Sequence, residues 1–290
     1  MEGDKGLRIA IVTDSTAYFT ESERELCTPT IVPLTISIGD KHFKEGTTFS
    51  NDEFYGFIRR SDEFPASSQP AVGEFAVVYR KLLESYDEII SIHLSGGLSG
   101  TIQAARTASE IVDNQNRITV IDSLSAAQGI TEMVIQASKM AQEGSSSSEI
   151  CKRIDYMIKH TQIYFLIDTL DYLHKGGRIG GASALFGNLL QIKPILFVKN
   201  GKVEILEKIR TEKKAVQYFI ELIANTIGET DGKLLRVNIC HADNYLKAVE
   251  LKDLMAQKMP GQKVDIGELG PVIGMHVGPG TCGAIISLLD

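Results

Sequence analysis

The sequence predicts a two-domain protein, with a mostly parallel α/β unit over residues 7–160 and an α+β unit with a partly antiparallel sheet over residues 161–290. Three observations carry that prediction. The chain has 290 residues, more than one ordinary domain needs and enough for two. Up to residue 160, short apolar runs alternate with longer helix-like segments, and small polar residues follow each run. Beyond residue 160 the pattern changes to strand-like runs, two of them joined by a turn signal at Asn200-Gly201, as in a partly antiparallel sheet carrying helices on one face.

The elements follow in order. Arg8 to Val12 is a β-rich run that ends in Thr13-Asp14-Ser15-Thr16. Thr20 and Glu23 have the spacing of a capping box for a short helix, and Ser50 with Glu53 repeats that signal for another through Phe57 and Ile58. Ile31 to Ile38 reads as one strand with Pro33 near its start. A helix over Gly73 to Leu83 precedes a strand at Ile89 to Leu94. A strand at Ile118 to Ile121 then leads to a helix over Ser125 to Glu143. Gly144 and Ser145 to Ser148 read as a loop, with Ser148 capping a helix over Glu149 to Lys159. In the second half, Ile163 to Ile167, Ile195 to Val198, Val203 to Ile205 and Leu235 to Cys240 read as strands. Lys213 to Ile227 and Tyr245 to Lys258 read as helices.

Composition excludes several classes of protein. Hydrophobic residues make up 43% and charged residues 23% of the chain, which is globular and not disordered. Thirty Lys and Arg against 37 Asp and Glu give a net charge of −7 with no block of like charge, which argues against a nucleic-acid groove. No apolar run approaches the ~18 residues of a membrane span. The start Met1-Glu2-Gly3-Asp4-Lys5-Gly6 lacks the basic and apolar stretches of a secretory signal, so a cytoplasmic location is expected. Cys27, Cys151, Cys240 and Cys282 are scattered without a C-x-x-C pair, and no H-E-x-x-H occurs, so neither a disulfide framework nor a metal site is expected.

Three segments are richer in small and hydroxylated residues than a plain connection requires. They are Thr13-Asp14-Ser15-Thr16, Ala66-Ser67-Ser68-Gln69-Pro70 and Ser95-Gly96-Gly97-Leu98-Ser99-Gly100-Thr101. Each lies where a strand gives way to a helix or just before a helix, the edge at which parallel α/β sheets bind ligands. Free N–H groups at helix starts favour an anion there, and hydroxyls without a lysine suit a carboxylate better than a triphosphate. Simple helix capping by these serines is the competing reading. Gly97-Leu98-Ser99-Gly100-Thr101 approaches a G-x-S-x-G elbow but ends in threonine. Gly278-Pro279-Gly280-Thr281-Cys282-Gly283 matches G-x-G-x-x-G, yet seven residues cannot supply the βαβ unit that motif needs. His276 stands beside a glycine run that lets backbone approach a ligand closely. Arg178 and Arg210, in polar stretches, are either phosphate-facing cations or surface charges.

Taken together and in order, Ile11-Val12-Thr13-Asp14-Ser15-Thr16, Ser67-Ser68-Gln69-Pro70, Leu98-Ser99-Gly100-Thr101, Gly177-Arg178-Ile179 and His276-Val277-Gly278-Pro279-Gly280 resemble the DegV family over nearly the whole chain. The resemblance implies a bacterial protein that buries a long-chain fatty acid, such as palmitate, stearate or oleate, within or between two α/β domains. It further implies a non-catalytic subunit that presents the carboxylate to a separate ATP-dependent fatty acid kinase, whose acyl phosphate product feeds phospholipid synthesis. No cofactor beyond the bound fatty acid is implied. The carboxylate-binding hydroxyls carry over to Ser67 and Ser99, with Gly97, Gly100 and His276 expected around them; Arg178 and Arg210, guanidinium groups in polar stretches, are expected on the face that meets the kinase. Ala66 and Ser67 stand where threonines are common in the family, and Gly96 where a second serine is common; both departures bear on acyl-chain choice. Leu185, Phe186, Leu189, Leu190 and Ile192 are candidate lining residues or ordinary core. A serine esterase or acyltransferase using Ser99 with His276 as base is the alternative from a different class.

Overall fold

The computed structural model describes residues 7–185 and 192–289. The chain opens with the fully buried strand β1 (Ile9–Asp14) and α1 (Glu21–Leu26), which begins at the Thr20/Glu23 capping box. The strand expected over Ile31 to Ile38 is broken into β2 (Thr30–Val32) and β3 (Thr35–Ile38), which belong to different sheets. Pro33 lies at the break, has no N–H to give to a ladder, and is followed by Leu34, whose N–H donates to Ser15 Oγ at 3.0 Å. β4 (Lys41–Lys44) completes a hairpin with β3, and α2 (Asn51–Arg60) starts at its predicted box, Ser50/Glu53. Ala66 to Ser68, singled out in the sequence only as a hydroxyl-rich segment before a helix, forms a short strand, β5 (Ala66–Ser68), along β3.

α3 (Val72–Leu83), β6 (Glu88–His93), α4 (Thr101–Val112) and β7 (Ile118–Asp122) continue the α/β alternation. α5 (Gln128–Gln142) starts three residues later than its apolar spacing suggested, because Ala127 at its N-cap has φ 52 and cannot be helical. α6 (Ser147–His160) is capped by Ser146 and not by Ser148: Glu149 at the third helical position reaches back to the Ser146 N–H and closes the box two residues earlier.

β8 (Gln162–Leu166), α7 (Asp171–Lys175) and a 3₁₀ turn over Gly180–Leu185 come next. β9 (Lys193–Lys199) and β10 (Lys202–Ile209) form the hairpin that Asn200-Gly201 signalled. The chain ends with α8 (Glu212–Gly228), β11 (Leu235–His241), α9 (Tyr245–Lys258), β12 (Asp265–Glu268), α10 (Pro271–Val277) and β13 (Cys282–Leu288).

The strands make a parallel sheet in the order β2-β1-β6-β7, a small antiparallel sheet β4-β3-β5, and a six-stranded sheet β10-β9-β8-β13-β11-β12 in which only β11 and β12 run parallel. One face of the six-stranded sheet packs on α8 and α9 through residues such as Phe219, Ile223 and Leu251. Its other face turns toward the N-terminal half: Ile285 and Cys240 share a cluster with Leu34 and Ile36 of the small sheet, Ala127, and Val272 and Met275 of α10. This second face positions the site. Among the described residues no helix is long and apolar enough to cross a membrane.

Candidate functional site

A cavity of about 280 Å³ lies on that second face. Its floor is formed by residues of five adjacent strands, Val203 on β10, Val198 on β9, Phe165 on β8, Gly283 on β13 and Cys240 on β11. These positions share one face because Phe165, Gly283 and Cys240 are direct partners across the sheet, and Val198 and Val203 pair at matching parity one hairpin away. α10 and the start of α5 form the roof through Val272, Ile273, His276 and Ala127.

The polar groups gather at one end. Ser67, Ser68 and Gln69 of β5 and the residues just after it, Ser99 from the loop before α4, and Arg178 and His276 line the wall there. His276 Nε2 lies 2.9 Å from Ser67 Oγ, and its Nδ1 is buried with no hydrogen-bond partner among the described residues. Burial, reinforced by the Arg178 charge, pushes the His276 imidazole down to about 4, so it is neutral at ordinary pH. Arg178 ties two loops together, with Nε donating to Leu98 O at 3.0 Å and an Nη1 hydrogen to Gly176 O at 2.6 Å. Ser99 Oγ accepts the Thr101 N–H at 3.3 Å and lies 2.9 Å from Thr101 Oγ1, at the N-terminus of α4.

Two predicted glycines explain how the loops meet. A Cβ on Gly97 would lie 2.4 Å from Gly201 O, so the loop before α4 sits directly on the β9–β10 turn, where Ser95 Oγ donates to the same oxygen at 2.8 Å. A Cβ on Gly100 would lie 2.2 Å from Gln69 Oε1, which brings the two hydroxyl-bearing loops side by side. Ser67, Ser99, Gly97, Gly100, His276 and Arg178 therefore come together. Arg210 does not: it is exposed just past the far end of β10, eight residues from Lys202 at the turn.

Other expectations fall elsewhere. Thr13 to Thr16 does not line the cavity. Asp14 is fully buried and accepts from Leu94 N and from Thr16, with His93 Nδ1 at 3.0 Å; burial raises its carboxyl, but the His93 contact and the other bonds outweigh burial and hold it below the usual range. Ser15 donates to Glu45 Oε2 at 2.6 Å. These hydroxyls serve the core. Ser99 and His276 are not hydrogen-bonded to each other, and a neutral imidazole already facing Ser67 and held near 4 is poorly suited as a base for Ser99. Of the candidate lining residues, the Leu185 side chain, Phe186, Leu189 and Leu190 lie outside the described residues, and Ile192 packs with Phe165 and Leu196. Gly283, Cys240 and Val272 were missed as lining residues. The signal for the first was present, since a glycine inside the apolar run Cys282 to Leu288 marks a strand approached closely by something else. Among the described residues, no group of three His, Cys, Asp or Glu side chains is placed to hold a metal ion.

Comparison with known proteins adds to this geometry. A DegV domain-containing protein of Listeria innocua is 36% identical over 283 residues, covering 97% of this chain and 99% of the relative. The solved structure of a fatty-acid-binding DegV family protein from Thermus thermophilus superposes with a TM-score of 0.88 at 33% identity, covering 98% of this chain and all of that one. That of DegV from Bacillus subtilis, described as a fatty acid binding protein, gives 0.88 at 34% identity over 97% and 99% of the two chains. The model of the DegV family, whose members are described as uncharacterised proteins, matches residues 8–288, and the chain belongs to that family.

Proposed function

We infer that this protein binds a long-chain fatty acid such as palmitate, stearate or oleate, with the carboxyl group at Ser67, Ser99 and His276 and the acyl chain laid across the six-stranded sheet. The observation that carries the reading is the division of one cavity into a long apolar floor and a single polar end. Burying each CH₂ contributes ~0.8 kcal/mol before association costs, so the floor supplies the affinity while the hydroxyls orient the head group. The relatives' fatty acid binding supports the same reading.

The protein acts as a binding subunit. It holds the carboxylate at the mouth formed by the Ser99 and Arg178 loops, and a separate ATP-dependent kinase phosphorylates it there, yielding an acyl phosphate for phospholipid synthesis. Arg178, which braces that mouth, and the exposed Arg210 are the proposed contacts to the kinase. The division of the chain near residue 160 belongs to this reading, with the carboxylate loops before it and the floor after it.

The test is mass spectrometry of lipid released from freshly purified protein, with about one long-chain fatty acid per chain expected. Each charged-group hydrogen bond contributes ~1.5–3 kcal/mol, so Ser67→Ala and Ser99→Ala should each weaken retention by tenfold or more. Recovery of no fatty acid from the wild type, or ester hydrolysis abolished in a Ser99→Ala protein that still binds, would overturn the reading.

A further inference from the structure

The floor of the cavity ends at a particular side chain. Across the sheet, Phe165, Gly283, Cys240 and Gly267 are successive direct partners on β8, β13, β11 and β12. The three small residues Gly283, Cys240 and Gly267 form a trough that continues to the edge strand. The cavity follows the trough as far as Cys240 and stops. Over Gly267 lies the buried amide of Gln128, the first residue of α5; a Cβ on Gly267 would fall 2.2 Å from Gln128 Nε2, and Cys240 Sγ donates to Gln128 Oε1 at 2.9 Å. On the far side of this amide is a second cavity of about 470 Å³, lined by Gln128 and Gly267 together with Tyr18 and Glu45.

The polar end lies at the other side of the sheet, because the Ser99 loop rests on the β9–β10 turn and Arg178 holds that loop. From β10 to β11 there are four strand spacings of ~4.8 Å, or roughly 19 Å, and a zigzag chain advances roughly 1.25 Å per C–C bond, which makes about fifteen bonds. We propose that Gln128, held by Cys240, is the stop for the methyl end of the acyl chain and so sets the longest fatty acid the protein accepts. The inference rests on the fatty-acid reading and adds a specificity-determining residue to it.

Removing the stop opens the trough by one strand spacing, space for roughly four carbons. Four more buried methylenes correspond to roughly a hundredfold in affinity before the cost of ordering the chain. The experiment offers the purified full-length protein an equimolar mixture of saturated fatty acids from fourteen to twenty-two carbons and measures what is retained by mass spectrometry. Gln128→Ala is expected to raise the ratio of twenty-carbon to sixteen-carbon acid at least tenfold over the wild type. Cys240→Leu, which fills the trough ahead of the stop, is expected to shift retention toward fourteen carbons. If Cys240→Leu fails to fold, the ratio in Gln128→Ala decides. A Gln128→Ala protein that retains fatty acid with the wild-type length profile overturns the stop and leaves the binding reading standing, whereas a wild type that retains none of the mixture overturns both.

Discussion

Replacing Glu45 by glutamine should flatten one part of the protein's response to pH. Glu45 is only 4% exposed, and its carboxylate accepts three hydrogen bonds: from Ser15 Oγ at 2.6 Å, from Tyr18 OH at 3.1 Å and from the Val272 N–H at 2.8 Å. Burial nevertheless outweighs these bonds and pushes its carboxyl from 4.5 up to about 7. A carboxyl with a raised folded-state value holds its proton more tightly folded than unfolded. Its contribution is therefore most favourable at low pH and is lost as pH rises from 4.5 to about 7. A shift of that size corresponds to about 3 kcal/mol. Glutamine keeps an oxygen for Val272 and Tyr18 and turns an amide toward Ser15, so the contacts survive while the titration disappears. The stability of Glu45→Gln relative to wild type should thus improve by about 3 kcal/mol between pH 4.5 and pH 8, which at about 2–4 °C per kcal/mol is a differential Tm change of roughly 6–12 °C. Thermal melts of both proteins across that range measure it. Glu132, also pushed up to about 7 by burial, adds a similar slope, and His276, pushed down to about 4, adds an opposite one; both are common to the two proteins and cancel in the difference. A Tm difference that stays constant with pH would refute the reasoning.

Two further outcomes are expected. Gly97→Ala should lower the Tm and loosen fatty acid retention, at a cost of ~1–3 kcal/mol, because the added carbon would meet Gly201 O at 2.4 Å and lift the Ser99 loop from the β9–β10 turn; an unchanged melt would mean the loop is not seated there. If the proposed function holds, Arg178→Ala should impair both retention and transfer to the kinase, since it releases Leu98 O and Gly176 O, whereas Arg210→Ala should leave retention within twofold and lower only the phosphorylation rate measured with the kinase present. A normal rate in Arg210→Ala would remove that residue from the proposed contact.

What could be read from the sequence was local. The Thr20/Glu23 and Ser50/Glu53 boxes lie within three residues and specify their own helix starts, and the structure uses both. Asn200-Gly201 needs only itself to turn a hairpin. The split at Pro33 was missed because the residues on either side are equally β-forming; what separates them is the destination of the Leu34 N–H, a bond to Ser15 that no spacing reveals. The site shows the same limit. Ser67 and Ser99 stood out by residue type, but so did Ser15 and Thr16, which bond to Glu45 and Asp14 inside the core. The pairing of Ser67 with His276 spans 209 residues. In the sequence β13 is obscured by the glycines that precede it, although Ala284-Ile285-Ile286 is the near-continuous apolar run expected of a central strand.

The division of the cavity assigns different consequences to its two ends. Burying a chain of fifteen methylenes or so at ~0.8 kcal/mol each offers on the order of 10 kcal/mol before entropy, whereas two or three hydrogen bonds to a carboxylate offer a few. In the proposed function the floor therefore decides whether a chain is held and how long it is. On the same reading the polar end decides where the carboxyl group sits. That end is built from loops fixed to one another by backbone contacts, with Gly97 on Gly201, Gly100 against Gln69 and Arg178 across Leu98 and Gly176. Rigid hydroxyls beside the N-terminus of α4 can hold an anion without surrounding it, because the helix supplies N–H groups from one side only. In the proposed function this leaves a carboxylate oxygen accessible to a second protein, and the neutral His276 acts there through hydrogen bonding and not through charge.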